Sequence, residues 1–189
     1  MTRKLPLGIG FTWRTDLLHL AMYARTDGQR VASWHNTKGR VAIYLPADLD
    51  AQHYATAEWL QKILAEALRK QAEYYIPARV AELAARAGLW YGRVTIKRIT
   101  SRWGSCSAKQ NLNFSLYLML LPRASVDYII CHELAHLVEL NHSSRFWKAV
   151  DTVMQAPMGS AKAADRATTL WYKHHLRTGE DPAMMLTEA

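Results

Sequence analysis

The sequence predicts an α+β fold with an N-terminal antiparallel β unit, a long helix, a short sheet and then further helices. Residues 8–46 read as short strands separated by turn residues. Residues 51–87 are rich in Ala, Leu, Glu, Lys and Arg at helical spacing, and residues 92–122 return to strand-like patterns. The 189 residues, 50% hydrophobic and 21% charged, are enough for one main globular domain with a proper core.

The first strands are expected to pair as a hairpin. The segments LLHLAMYAR and RVASWHN flank TDGQ, whose Asp27-Gly28 pair suits a tight hairpin turn. TKGR then leads into another strand, VAIYLP, which Pro46 closes. We therefore expect a small antiparallel β unit at the N-terminus.

A long helix is expected from Ala51 to Ala87, because apolar residues recur at helical spacing between Trp59 and Leu68. Pro77 predicts a break, since proline removes a backbone donor inside a helix. Gly88 is a typical residue at which a helix stops.

The second half of the chain predicts strands followed by helices. GRVTIKRIT alternates as a half-buried strand does, and SRWGSCS with LNFSLYLMLL supplies at least one more strand, ending at Pro122. Ser125 is expected to cap a helix running to about Leu140, and Ser143 or Ser144 to cap the next. A last helix is expected over residues 160–177.

Charge and cysteine content restrict the possible functions. The 24 Lys+Arg against 16 Asp+Glu give a net charge of +8, which favours anionic partners. The two cysteines, Cys106 and Cys131, lack CxxC spacing, so neither a disulfide framework nor a cysteine-rich zinc site is expected. The sequence contains neither a signal-peptide pattern nor an apolar run long enough for a membrane span. We expect a soluble, cytoplasmic protein that does not bind membranes.

The segment HELAH at 132–136 matches the HExxH motif. At about 100° per residue, His132 and His136 lie about 40° apart and about 6 Å along the helix axis, so both can reach one metal ion. Glu133 is close enough to deprotonate a water on that ion without being a ligand. The neighbouring apolar residues lie on the opposite side of the helix, which indicates that these are not core histidines: Val126, Ile130, Leu134 and Leu137.

A third protein ligand has three candidates. His142 is favoured, but it lies about 240° round from His136 and requires the chain to leave the helix, which we expect Asn141 to allow in a left-handed conformation. Glu139 is about 10 Å along the axis from His132, too far without distortion. The third candidate is an acid on a later helix, where only Asp151 and Asp165 precede Glu180.

Four sequence blocks together resemble the YgjP-like family of zincin-fold, metallopeptidase-like hydrolases. Their order and spacing match over about residues 90–150, and one departure is Phe114, where the family typically has Trp. The blocks are TSRWGSCS at 100–107, LNFSLYLMLLP at 112–122, VDYIICHELAHL at 126–137 and NHSSRFW at 141–147.

The resemblance implies one zinc ion held by His132, His136 and His142, with Glu133 as the catalytic general base. It also implies a minimal zincin-like core made of a backing helix, a short mixed sheet, the HExxH helix and C-terminal helices.

Three parts of the chain are expected on this basis. An N-terminal β-hairpin unit at residues 1–50 packs on the core, a zincin-like metallohydrolase domain spans residues 51–178, and residues 179–189 form a disordered tail.

The expected chemistry is hydrolysis, in which metal-activated water attacks a peptide bond or a phosphoanhydride. A peptide could pair with LNFSLYLML if this strand lies at a sheet edge, but the strand could equally be interior.

An anionic substrate such as a nucleotide is the other expectation. From Leu83 through Val126 there are seven basic residues and no acid, and Arg102 is the predicted substrate-binding residue because a guanidinium can hold a phosphate. The resemblance points the same way, since YgjP-like proteins have been associated with nucleoside triphosphate pyrophosphatase activity on UTP. A nucleic-acid-associated zincin-like protein is a further alternative, although no nucleic-acid motif supports it.

Overall fold

The computed structural model describes residues 7–50 and 54–178 and has the predicted α+β architecture. The expected tail at 179–189 lies outside the described residues. The strands are β1 (Thr12–Arg14), β2 (His19–Ala24), β3 (Ser33–Thr37), β4 (Arg40–Leu45), β5 (Val94–Lys97), β6 (Gly104–Cys106) and β7 (Leu112–Ser115). The helices are α1 (Tyr54–Ala87), α2 (Arg123–Ala135), α3 (Ser144–Met154) and α4 (Ser160–Thr178), with a 3₁₀ helix at Leu116–Leu120.

The N-terminal sheet has the order β1-β2-β4-β3 and is mixed, because β2 and β4 are parallel. The hairpin predicted across TDGQ is therefore wrong, and the turn at Lys38-Gly39 connects the antiparallel strands β3 and β4 instead. Burial explains the order. The apolar strand β4 takes an interior position, whereas the more polar SWHNT of β3 takes an edge.

Helix α1 continues through Pro77, so the predicted break is wrong. Fully buried residues on both sides of the proline, Ala72, Ile76 and Val80, form one apolar stripe against the core. Burial of several such side chains, at about 1.5–3 kcal/mol for a large one, outweighs the roughly 3 kcal/mol cost of a helical proline. The helix ends at the predicted Gly88, whose φ of 64° is left-handed.

The second sheet has the order β5-β7-β6, with β5–β7 parallel and β6–β7 antiparallel. Strand β7 is central, so the edge interpretation of LNFSLYLML is wrong and the interior one is confirmed. The strand also ends early, at Ser115, whose hydroxyl accepts from Tyr117 N and donates to Ile99 O. The 3₁₀ helix lets all five residues of LYLML be buried, whereas a strand would turn alternate side chains to the opposite face.

Helix α2 begins at Arg123 rather than after a Ser125 cap. The Arg123 N–H donates to the Asp16 carboxylate at 2.8 Å, which satisfies one free donor of the first turn. Ser125 instead accepts a buried hydrogen bond from Thr168 of α4. Ser143 caps α3 as predicted, accepting from Phe146 N.

Helix α1 packs across the 3₁₀ helix, and α2 packs against both α3 and α4. Trp13 of the N-terminal sheet donates from its indole to Leu120 O at 3.2 Å, which joins this sheet to the same core. None of the helices in the described ranges is long and apolar enough to cross a membrane.

Candidate metal centre

Three histidines converge at the end of α2. Their ligand nitrogens all lie within 4.8 Å of one another, and Nε2 of His142 is 3.0 Å from Nε2 of His132. His132 and His136 come from successive turns at the end of α2, and His142 lies just before α3. The structure thus brings together the three histidines that the sequence predicts as ligands, and Glu139 is not part of this cluster.

The chain reaches His142 differently from the way we expected. Helix α2 ends at Ala135, well before Leu140, and Asn141 does not have the left-handed conformation predicted for it. Tight turns at 136–138 replace the helix, and Val138 N and Glu139 N both donate to Ala135 O. Because α2 ends early, the six residues 136–141 are available to bring His142 back to the end of this helix.

Hydrogen bonds fix the orientation of two of the imidazoles. His136 Nδ1 lies 3.1 Å from the Glu139 carbonyl, which can only accept, so Nδ1 carries the proton. His132 Nδ1 lies 3.2 Å from the hydroxyl of Tyr128, and this hydroxyl donates to Asp165 Oδ1 at 2.8 Å. Tyr128 therefore accepts from His132 Nδ1. Both rings present an unprotonated Nε2 for a ligand.

The arrangement fits zinc. Tetrahedral Zn–N bonds of about 2.0–2.1 Å place ligand nitrogens about 3.3 Å apart. The Nε2 atoms of His132 and His142 are 3.0 Å apart, and the ligand nitrogens of all three histidines lie within 4.8 Å of one another. Burial, followed by the charges of His136 and His142, lowers the pKa of His132 to about 4, and burial also lowers the pKa of His136. Two of the histidines are thus kept neutral, as a metal ligand must be.

Phe146 lies against all three imidazoles. Its ring centroid is 4.7 Å from that of His132, 4.5 Å from His136 and 4.6 Å from His142, and its side chain is fully buried. The Ser143 cap begins α3 so that Phe146 lies in its first turn. This ring limits movement of the three histidines and excludes water from one side of the centre.

Glu133 is buried next to β6. Its residue is 6% exposed, and burial raises the pKa of its carboxyl to about 7, while Arg102 and a backbone hydrogen bond from Cys106 act in the opposite direction. A Cβ at Gly104 would lie 2.7 Å from Glu133 Cγ, closer than real contacts allow. Only glycine at position 104 leaves room for this carboxylate.

A cleft of about 310 Å³ adjoins His132 and Glu133. Its walls come from the start of β6, from α2 and from α4, and Trp103 and Tyr172 meet edge to face at a centroid distance of 5.7 Å. Arg102, the predicted substrate-binding residue, lines the cleft, but it is the only one of the seven basic residues that does so. Glu133 and Asp165 also line it, so cations do not dominate its charge.

Three residues of this centre were not predicted from the sequence. Tyr128 lies four residues before His132, on the same helix face, and that spacing could have identified it. Asp165 was considered only as a possible direct metal ligand, and no role was predicted for Gly104 in the segment RWGSC. The contacts of Asp165 and Gly104 connect distant segments, which a single sequence does not reveal.

Replacing Tyr128 with Phe is expected to weaken zinc binding by about 10- to 100-fold, because His132 Nδ1 loses the hydroxyl that orients it. A competition titration against a chromophoric chelator measures the change. Tyr74→Phe, at an exposed position on α1, is the control and should bind zinc like the wild type. Equal affinity in Tyr128→Phe would contradict an orienting role for the hydroxyl.

The metallopeptidase-like class of protein is defined by a helix that carries HExxH and by a third histidine after this helix. An edge strand lies beside the glutamate of the motif. The family model described as YgjP-like, metallopeptidase domain, matches residues 29–163. The chain therefore belongs to the YgjP-like family, a family of metallopeptidase-like hydrolases.

Among solved structures, the crystal structure of the metallopeptidase zymogen of Pyrococcus abyssi abylysin is similar to this chain. The sequence identity is 26%, the TM-score is 0.42, and the match covers 50% of this chain and 93% of that chain. No curated protein matches the chain.

Proposed function

We propose that this protein is a zinc-dependent hydrolase of the metallopeptidase-like type and that it acts on peptide bonds. The observation that carries the proposal is the buried Glu133 carboxylate beside the cleft, next to the three convergent histidines. A purely structural zinc site would need neither this carboxylate nor an open fourth coordination position.

Each residue of the centre has a proposed role. His132, His136 and His142 hold the metal through Nε2. When bound, zinc would activate a water and polarise a substrate carbonyl. Glu133 takes the proton from the attacking water and delivers it to the leaving nitrogen.

The outer edge of β6 supports a peptide substrate. Ser115 N donates to Trp103 O, and Ser107 N donates to Asn111 O, so residues 103 and 107 face β7. In an antiparallel ladder the backbone groups of Gly104 then point to the opposite, outer edge. An extended peptide could add to this edge by backbone pairing and pass next to Glu133.

Arg102 is the proposed substrate contact. It lines the cleft, and its charge acts on Glu133, which places the two side chains near each other. A guanidinium can hold a carboxylate or a phosphate through two hydrogen bonds.

Pyrophosphatase activity on nucleoside triphosphates is the alternative, and the cleft does not favour it. Six of the seven expected basic residues do not line the cleft, and two of them pair with acids, Arg86 with Glu82 and Arg123 with Asp127. A single arginine alongside two carboxylates is a poor site for a triphosphate, which carries several negative charges.

The substrate class is tested by incubating the zinc-loaded protein with a casein-derived peptide pool and, separately, with UTP. We expect new peptide termini by mass spectrometry, loss of this activity with 1,10-phenanthroline, and recovery when zinc is added. Pyrophosphate release without peptide cleavage would overturn the peptide assignment. No turnover of either substrate would contradict a hydrolase of either type.

A further inference from the structure

The N-terminal sheet has an outer face, opposite the face that packs on the core. Along β4, Val41, Ile43 and Leu45 are buried, whereas Arg40, Ala42 and Tyr44 alternate with them on the other side. The strand pairing continues this face onto β2, which contributes His19, Ala21 and Tyr23 opposite those three residues. We call this surface the outer sheet face. None of these six residues lines the cleft beside the metal centre.

One end of the outer sheet face is aromatic. The rings of Tyr23 and Tyr44 stack at a centroid distance of 5.6 Å, and the ring of His35 meets Tyr44 edge to face at 5.7 Å. Tyr23 is 46% exposed, although its ring is apolar. These three side chains line a hollow of about 500 Å³. Planar apolar rings that border an open hollow are suited to stacking planar groups of a ligand.

The Asp27 carboxylate at this hollow is already neutralised by an ion pair with Arg25. Arg25 holds the Asp27 carboxylate through two hydrogen bonds and also donates to Val31 O and Ser33 Oγ. The hydrogen bond from Arg25, followed by one from the backbone N–H of Gln29, lowers the pKa of Asp27 to about 2. This ion pair shapes the loop at the rim of the hollow and leaves no unpaired negative charge there.

The other end of the outer sheet face is basic. Arg40 of β4 lies directly opposite His19 of β2 in the strand register, and Arg14 of β1 lies opposite His19 on its other side. In the described part of the chain neither arginine forms an ion pair with a carboxylate. The tyrosines lie four positions further along each strand than this row, about 13 Å at roughly 3.3 Å per residue. Between the two ends lie the small side chains of Ala42, which is partly exposed, and Ala21, which is buried.

We propose that the outer sheet face binds single-stranded nucleic acid. Tyr23 and Tyr44 stack on bases, and Arg14 and Arg40 contact backbone phosphates on the same side of the sheet. Stacking rings combined with a cationic track are the features by which proteins bind single strands without a sequence motif. A duplex does not fit as well, because its bases are already stacked inside the helix. An acidic peptide would satisfy the arginines but has no planar group for the tyrosines.

Fluorescence anisotropy with a labelled 20-nucleotide oligothymidylate tests the proposal on the full-length protein. We expect salt-dependent binding that Tyr23→Ala/Tyr44→Ala weakens by at least about tenfold, whereas Tyr23→Phe/Tyr44→Phe, which keeps the rings, binds like the wild type. Tyr74→Ala, at an exposed tyrosine on α1, is the control for loss of a surface ring. Circular dichroism confirms that each variant is folded.

The arginines are tested separately through the salt dependence. Arg14→Gln/Arg40→Gln should reduce the slope of log affinity against log salt concentration by about 1.4, since each phosphate contact on a single strand contributes about 0.7. Lys62→Gln/Arg86→Gln removes the same charge from α1 and should leave the slope unchanged. The proposal would be overturned by absence of binding or by an equal change of the slope in the two charge variants. It would also be overturned if polyglutamate competed as well as the oligonucleotide does.

Discussion

Replacing Glu133 with Gln should lower the rate of hydrolysis by about 10²- to 10⁴-fold, the contribution typical of a general acid–base residue. The amide keeps the size of the side chain and still fits over Gly104, but it cannot accept a proton from water. Zinc content should remain that of the wild type, because Glu133 is not among the converging ligands. The measurement is the initial rate of peptide cleavage at equal zinc loading.

The matched control for this substitution is Glu66→Gln, which makes the same change at an exposed position on α1. It should leave the rate unchanged. Glu133→Gln with wild-type turnover would contradict the general-base assignment while leaving the metal centre intact. Loss of zinc together with activity would instead make Glu133 a structural part of that centre.

Replacing His142 with Ala should weaken zinc binding by more than about 100-fold and abolish hydrolysis. Loss of a direct ligand is expected to exceed the roughly 10- to 100-fold effect of losing an orienting partner. His142 is exposed, so its removal should not unfold the chain. Chelator competition gives the affinity, and circular dichroism checks the fold.

Arg145→Ala provides the comparison, because it truncates another exposed side chain three residues further along, in the first turn of α3. It should bind zinc like the wild type. If His142→Ala did so as well, the centre would have only two histidine ligands and the proposed role of His142 would be wrong.

The convergence of the three histidines could be predicted because local spacing determines much of it. An i, i+4 pair on a helix converges by geometry, and His142 had few rivals within reach. The route to His142 was not predictable from Asn141, because the helix ends five residues earlier than the sequence suggested and no left-handed residue is needed there.

The errors in the fold arose where long-range packing outweighs local preference. The buried stripe of α1 carries the helix through Pro77, and the apolar run after Ser115 forms a buried 3₁₀ helix instead of extending β7. Parallel pairing of β2 with β4 depends on contacts between segments separated by a loop and another strand. Local turn signals such as Asp27-Gly28 carry no information on that pairing.

We propose that one zinc ion binds at His132, His136 and His142 with its fourth coordination position open. A crystal of the zinc-loaded protein measured on both sides of the zinc absorption edge tests it directly. We predict a single anomalous peak about 2.0–2.1 Å from Nε2 of each histidine, with no fourth protein ligand. Absence of a peak among these three side chains, or a peak with a fourth protein ligand, would contradict the claim.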